Sequence, residues 1–278
     1  MTRFAVCFVS VFGELAFGGL LAISVPPFFK IELGFYRSSA AVYLASAMLT
    51  AIGFGFLAYG GNHPDSPGAM TLWIGTAIWT LFCLAVSLYL LTLYTDNAYL
   101  RARSYTFGLG LGLIGVLVGP LALKPAVFGV MAGLGYGISA ILSSLVLGLA
   151  STGMLFGHWY LIDPNLPVEY LRTIVKFLGI ALIANLAGLI LMVAAFALFG
   201  ASDARLAVRL LFQSNLALLA IRMLFGPIAS LVLTWMTWQT LKIPQTMAAT
   251  GLLYITVMSV LVGAFLGHFI LFRTALPL

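Results

Sequence analysis

Glu14 and Arg222 are ionisable residues set deep inside apolar runs of this chain. A charge held in hydrocarbon is costly, so by default such a residue marks a proton- or ligand-handling site or a buried pair. Glu14 falls about halfway along the first apolar run and Arg222 about halfway along the seventh. Both runs cross in the same direction, so the two side chains are expected at similar depth, within pairing reach. The chemistry on offer is a proton-exchanging carboxylate or a ligand anchor; the plainer alternative is a structural ion pair. Asn185 in the sixth run, with Gln213 and Asn215 in the seventh, adds polar groups at nearby depths. Together they outline a polar seam, although interhelical hydrogen bonding explains each of them singly.

A second cluster closes the fifth run, where "GMLFGHWYLIDPNLPVEYLR" (residues 153–172) turns abruptly wet. Trp159 and Tyr160 suit a membrane interface because their rings are amphipathic. His158 sits at a helix C-terminus, where the dipole favours its charged form. Stacking on Trp159, with hydrogen bonds from His158 or Tyr160, would hold an amphipathic ring such as a quinone head group. Trp238, in "TWMTWQTLKIPQT", is expected on the same face as a second wall. An aromatic belt with no ligand accounts for the same residues.

Other chemistries fit less well. A bis-histidine haem needs two imidazoles at one depth, whereas His158 and His268 are expected near opposite rims of a ~30 Å hydrocarbon layer. Haem is therefore disfavoured, and a His–Met haem gains only unspecific support from ten methionines. No Cys or His spacing matches a metal site, and His63 lies in a turn. "GLGLIG" (residues 110–115) copies a dinucleotide fingerprint, but that motif works only between a strand and a helix facing water. No acid–base–nucleophile constellation appears, so no catalytic centre of its own is expected.

These residues are carried by an overwhelmingly apolar chain. Of 278 residues, 63% are hydrophobic and 7% charged, with a mean hydropathy of +1.14. A soluble domain has about a quarter charged residues, so this surface cannot face water. The runs do not alternate as barrel strands would. The expected fold is all-α, a polytopic integral membrane bundle forming a single transmembrane domain. Breaks at Pro, Gly and charges give eight spans, at about 4–25, 39–59, 70–94, 104–123, 126–159, 168–199, 205–240 and 245–272. The first is expected to be a retained span, because Glu14 interrupts it and no cleavage site is evident. Cys7 and Cys83 fall within spans as packed thiols.

Eight spans bring both termini to one face, here side A. Side A collects Arg3, Lys124, Arg205, Arg209 and Arg273; side B collects Lys30, Arg37, Arg101, Arg103, Arg172, Lys176 and Lys242. The positive-inside rule leans toward a cytoplasmic side B, with the termini on the non-cytoplasmic side of a plasma or inner membrane. The net charge of +6 is spread over helix ends without a basic cluster, so lipid headgroups are expected as contacts and nucleic acid is not. Small-residue stripes (Gly108, Gly112, Gly115 and Gly119; Gly129, Gly133 and Gly137) predict a tight pairing of the fourth and fifth spans.

Three functions are compatible with this pattern, the first of them the expected one. One is an integral subunit anchoring a larger respiratory or redox complex and interacting with quinone near His158, Trp159, Tyr160 and Trp238. Glu14 would then serve a proton route, and electrons would come from partner redox subunits. The eight-span count resembles the quinone-reactive membrane subunits of polysulfide-reductase type, in architecture alone. Another is a small-solute or ion transporter built on Glu14, Arg222, Asn185 and Asn215. A structural membrane scaffold is the third.

Overall fold

The structure, a computed structural model, describes residues 2–60, 69–123, 130–243 and 245–276. The turn containing His63, together with Lys124, Pro125 and Pro244, lies outside the described residues. The described residues form an all-α bundle without strands, with eight helical segments long and apolar enough to cross a membrane. It is a multi-pass membrane architecture.

The helices are α1 (Thr2–Ala22), α2 (Leu33–Gly60), α3 (Ala69–Thr92), α4 (Ala98–Leu123), α5 (Val130–Trp159), α6 (Val168–Phe199), α7 (Ser202–Ser214), α8 (Leu216–Met223), α9 (Ala229–Lys242) and α10 (Thr246–Thr274). Helix α1 packs on α2, α4, α5 and α10, while α3 bridges α2 and α4, and α6 and α9 flank α5 and α10. Burial follows this plan. More than half of the most apolar window of α1, α5 and α10 is buried, against 17% for α6. Hydrophobic side chains on α6 such as Ile183, Leu191 and Leu198 are exposed, as a lipid-facing helix requires.

Charged residues on side B meet carbonyls that a helix end leaves without partners. Arg37 donates from Nε and Nη2 to the Leu93 carbonyl at 3.1 and 2.7 Å. Arg101 Nη2 donates to Thr95 at 2.7 Å, so two cations close the C-terminus of α3. Arg172 Nη2 does the same for α9 at the Leu241 carbonyl, 2.9 Å away. Cations there also complement the negative end of the helix dipole. At the start of α4, Asn97 Oδ1 accepts from the Leu100 N–H at 2.9 Å, an N-cap.

The tightest approach is not the expected one. A Cβ on Gly18 of α1 would lie 1.8 Å from the Ser144 carbonyl oxygen of α5, and one on Gly148 would lie 2.1 Å from the Gly18 backbone. The small residues that bring backbones together are therefore those of α1 and α5. On α4, Gly112 and Gly115 instead make room for the rings of Phe17, Phe82 and Trp79. Bulky aromatics fill the α4 stripe, while α4 and α5 meet elsewhere, with Gly137 against Leu117; Gly129 lies outside the described residues.

The seventh span also departs from expectation, because residues 205–240 are not one helix. Helix α7 carries Asp203, Arg205, Arg209 and Gln213 and is too polar to cross. Its Ala204, Val208 and Leu211 pack with Tyr136, Phe196 and Ile270 at the side-A ends of α5, α6 and α10, as an interfacial amphipathic helix does. Asn215 ends α7 and begins α8, and its Nδ2 donates to the Leu210 carbonyl at 3.4 Å. The crossing segment is Leu216–Lys242. It is interrupted by a π-helical turn, Leu224–Ile228, that contains Pro227. Proline lacks the N–H that residue 223 would need and crowds that residue's carbonyl; a π turn absorbs the mismatch. Ala229 N–H consequently bonds Leu224, and the released Phe225 carbonyl accepts from the hydroxyls of Ser259 and Ser230.

Candidate functional site

Glu14 is 3% exposed, and Arg222 and His268 are each 8% exposed. His268 Nε2 lies 2.9 Å from Glu14 Oε1. Ser143 Oγ donates to Glu14 Oε2 at 2.6 Å. The carboxylate thus joins α1, α5 and α10 in one polar contact. Its position follows from the glycines: Gly18 lies one turn beyond Glu14, and its contact, Ser144, adjoins Ser143. Drawing the α1 and α5 backbones together brings the Ser143 hydroxyl within reach.

Glu14 and Arg222 were expected within pairing reach, and the structure sets them on one cavity with other contacts of their own. Arg222 Nη1 donates to the Gly263 carbonyl at 3.1 Å, and the ion-pair contact of Glu14 is with His268. The reason is the broken seventh span. With α7 set aside, Arg222 stands six residues from the start of its crossing segment rather than halfway. The π turn then seats Gly226 against Gly263, where a Cβ on Gly263 would be 2.4 Å from Gly226 Cα. That contact places the guanidinium on α10. Arg222 and Glu14 still line one cavity of ≈ 20 Å³, together with Ser139, Ser143 and His268, which is room for about one water. Asn185, half-buried on α6, joins Arg222 in two adjoining cavities.

The imidazole is stacked on Phe272 with centroids 6.1 Å apart, and its Nδ1 is buried without a hydrogen-bond partner. A buried, unpartnered N–H costs more than a bare acceptor. Nδ1 is therefore the less favourable place for the imidazole proton, and Glu14 Oε1, 2.9 Å from Nε2, is itself buried without an aligned hydrogen bond. A carboxylate, an imidazole and a hydroxyl in contact are groups of the kind that serve in general acid–base chemistry. His268 lies six residues before the end of α10, toward side A as expected, and its contact with the acid was not anticipated. The one hint in the sequence was the Gly263–Gly267 spacing beside it, which marks a close helix approach.

At side B, His158 is exposed and its Nδ1 lies 3.3 Å from the Tyr254 hydroxyl of α10. Trp159 packs against Gly34 and Phe35. Tyr160 is buried, donates to the Pro167 carbonyl at 2.7 Å, and burial pushes its phenol well above the usual range. Its proton therefore braces the turn. Trp238 is partly buried against the core. Tyr254 and His268 are fourteen residues apart on α10, or ~21 Å at the α-helical rise, so one porphyrin iron cannot take both imidazoles.

A larger cavity that the sequence did not point to, ≈ 290 Å³, opens beside this face. Phe28, Phe29, Tyr36, Tyr89, Tyr105 and Arg101 line it, and Phe35, which touches Trp159, stacks edge-on with Tyr36. Among the described residues, no group of three or more His, Cys, Asp or Glu comes together as a metal site would need. Neither protein-family models, nor curated proteins, nor solved structures yield a match to this chain.

Proposed function

We propose that this chain is a proton-coupled membrane carrier whose exchange site is the Glu14–His268 pair. The observation that carries the reading is a buried carboxylate that accepts from a hydroxyl and stands 2.9 Å from an imidazole, with a guanidinium on the same cavity. Ionisable groups at such depth are retained against a desolvation cost when they move charge. The broken helix beside them supports the same reading, because discontinuous helices with unwound or π turns recur where transported species bind. Reconstitution of the chain alone tests it. Wild-type proteoliposomes with a lumenal pH dye should acidify under an imposed proton gradient, and Glu14→Gln should abolish the flux while leaving the protein folded. A flux unchanged by the substitution would remove the proposal.

A second reading rests on the aromatic cavity at side B. Its volume approaches the range of small-molecule sites, and its rings suit a flat head group such as a quinone. In that case the chain would be a membrane subunit of a redox assembly, with electrons supplied by partner subunits. Purification in native lipid, with quinone extraction and identification of co-purifying chains, separates the two readings.

A further inference from the structure

We propose that Arg222 binds a small inorganic monoanion of chloride size together with the proton taken up at Glu14–His268, so that the two cross as a neutral pair. The inference rests on the carrier reading and names its co-substrate. The guanidinium is more than nine-tenths buried, donates to the Gly263 carbonyl, and keeps its Nε without a partner. Three cavities of ≈ 10, 30 and 20 Å³ meet at this one side chain. Ser139 and Asn185 supply polar lining with donors suited to an anion, while the Ser143 hydroxyl is already given to Glu14. Each volume holds about one or two waters, too small for an organic acid.

Charge balance gives the coupling. With the imidazole neutral, Glu14 and Arg222 carry opposite unit charges across a shared cavity, and the cluster is neutral. A proton added at either Glu14 or His268 leaves one uncompensated positive charge in a low-dielectric bundle, which is unfavourable. An anion at Arg222 restores neutrality. The surrounding elements offer no substitute: α5 faces the site with Tyr136 and two serines, while α2, α3 and α4 present Phe54, Trp79, Gly115 and Gly119 on the other side of Glu14. Among these described neighbours, no second carboxylate answers the added charge.

Binding in detergent tests this independently of transport. Sodium chloride added to the purified, weakly buffered full chain should cause proton uptake approaching one per chain, and sodium gluconate should cause none. Because the effects are reciprocal, chloride should bind more tightly as the pH is lowered. Arg222→Lys and Glu14→Gln should each remove the linkage. Wild-type protein that takes up no protons on chloride addition, or binds chloride with no pH dependence, overturns the inference. Proton flux that persists in gluconate-only proteoliposomes also overturns it while leaving the carrier reading intact. Chloride-linked proton uptake without any vesicle flux would support the site and count against the carrier.

Discussion

Gly148 of α5 and Gly18 of α1 cross so closely that a methyl group on Gly148 would overlap the Gly18 carbonyl, 2.1 Å away. The obstruction is backbone, so no rotamer change relieves it, and only separation of the two helices does. Gly148→Ala should therefore destabilise the bundle by about 3 kcal/mol or more, at or beyond the upper end of overpacking costs. Gly110→Ala, where nothing lies within 4 Å, should be neutral or slightly stabilising through helix propensity. Thermal unfolding in detergent, followed by size-exclusion chromatography, compares the pair. Equal stability of the two variants would contradict the α1–α5 crossing.

Ser143 holds the carboxylate from the α5 side. Removing its hydroxyl takes away the side-chain hydrogen bond found for Glu14 among the described residues, and hydrogen bonds to charged groups contribute about 1.5–3 kcal/mol. Ser143→Ala should lower stability within that range and reduce proton flux several-fold; Ser143→Thr, which keeps the hydroxyl, should recover most of both. A flux insensitive to Ser143→Ala would show that the serine has no part in proton exchange.

Pro227 imposes the π turn that sets Arg222 against Gly263. In Pro227→Ala the restored N–H lets the segment relax toward an ordinary helix. Unfolding temperature should stay level or rise while proton flux falls about tenfold, the opposing changes expected where local irregularity serves function. Parallel loss of both would make the turn merely structural.

Ser202, at the start of α7, and Asn165, in the turn before α6, are both exposed and flank α6 at its two ends. Cys7 and Cys83 are buried, so a Cys7→Ser, Cys83→Ser background should remain folded. Single cysteines at Ser202→Cys and Asn165→Cys should label with impermeant maleimide from opposite sides of sealed vesicles. Labelling from one side only would show that α6 does not cross.

Arg37 and Arg101 close the C-terminus of α3. Arg37→Gln should cost about 1 kcal/mol, as loss of an ordinary hydrogen-bonded cap does, read from the unfolding midpoint in detergent. Arg172 caps α9 in the same way. Part of the positive charge on side B is thereby explained by helix ends, which weakens the orientation argument drawn from counting cations.

Composition and breaker residues were sufficient for the bundle, because a chain this apolar has only intrahelical hydrogen bonds to satisfy its backbone in lipid. That reasoning located the eight crossings and marked Glu14 and Arg222 as the costly charges. It failed where the answer lay in contacts between helices. A hydrophobic count across residues 205–240 does not separate an amphipathic helix at the rim from the crossing that follows, nor does it say that Pro227 produces a π turn. The stripe of glycines on α4 looks like a helix seam until Phe17, Phe82 and Trp79 are seen filling it. His268 was placed by distance from a helix end, yet its side chain reaches the acid because α1 and α10 pack side by side.

Depth along a helix is thus written in one dimension, from residue number and rise. Which side chains meet at a given depth depends on rotation, tilt and backbone separation, which the whole bundle decides together. That is why Glu14 was legible as a candidate from its type and place alone, whereas its partners His268 and Ser143 belong to the tertiary structure.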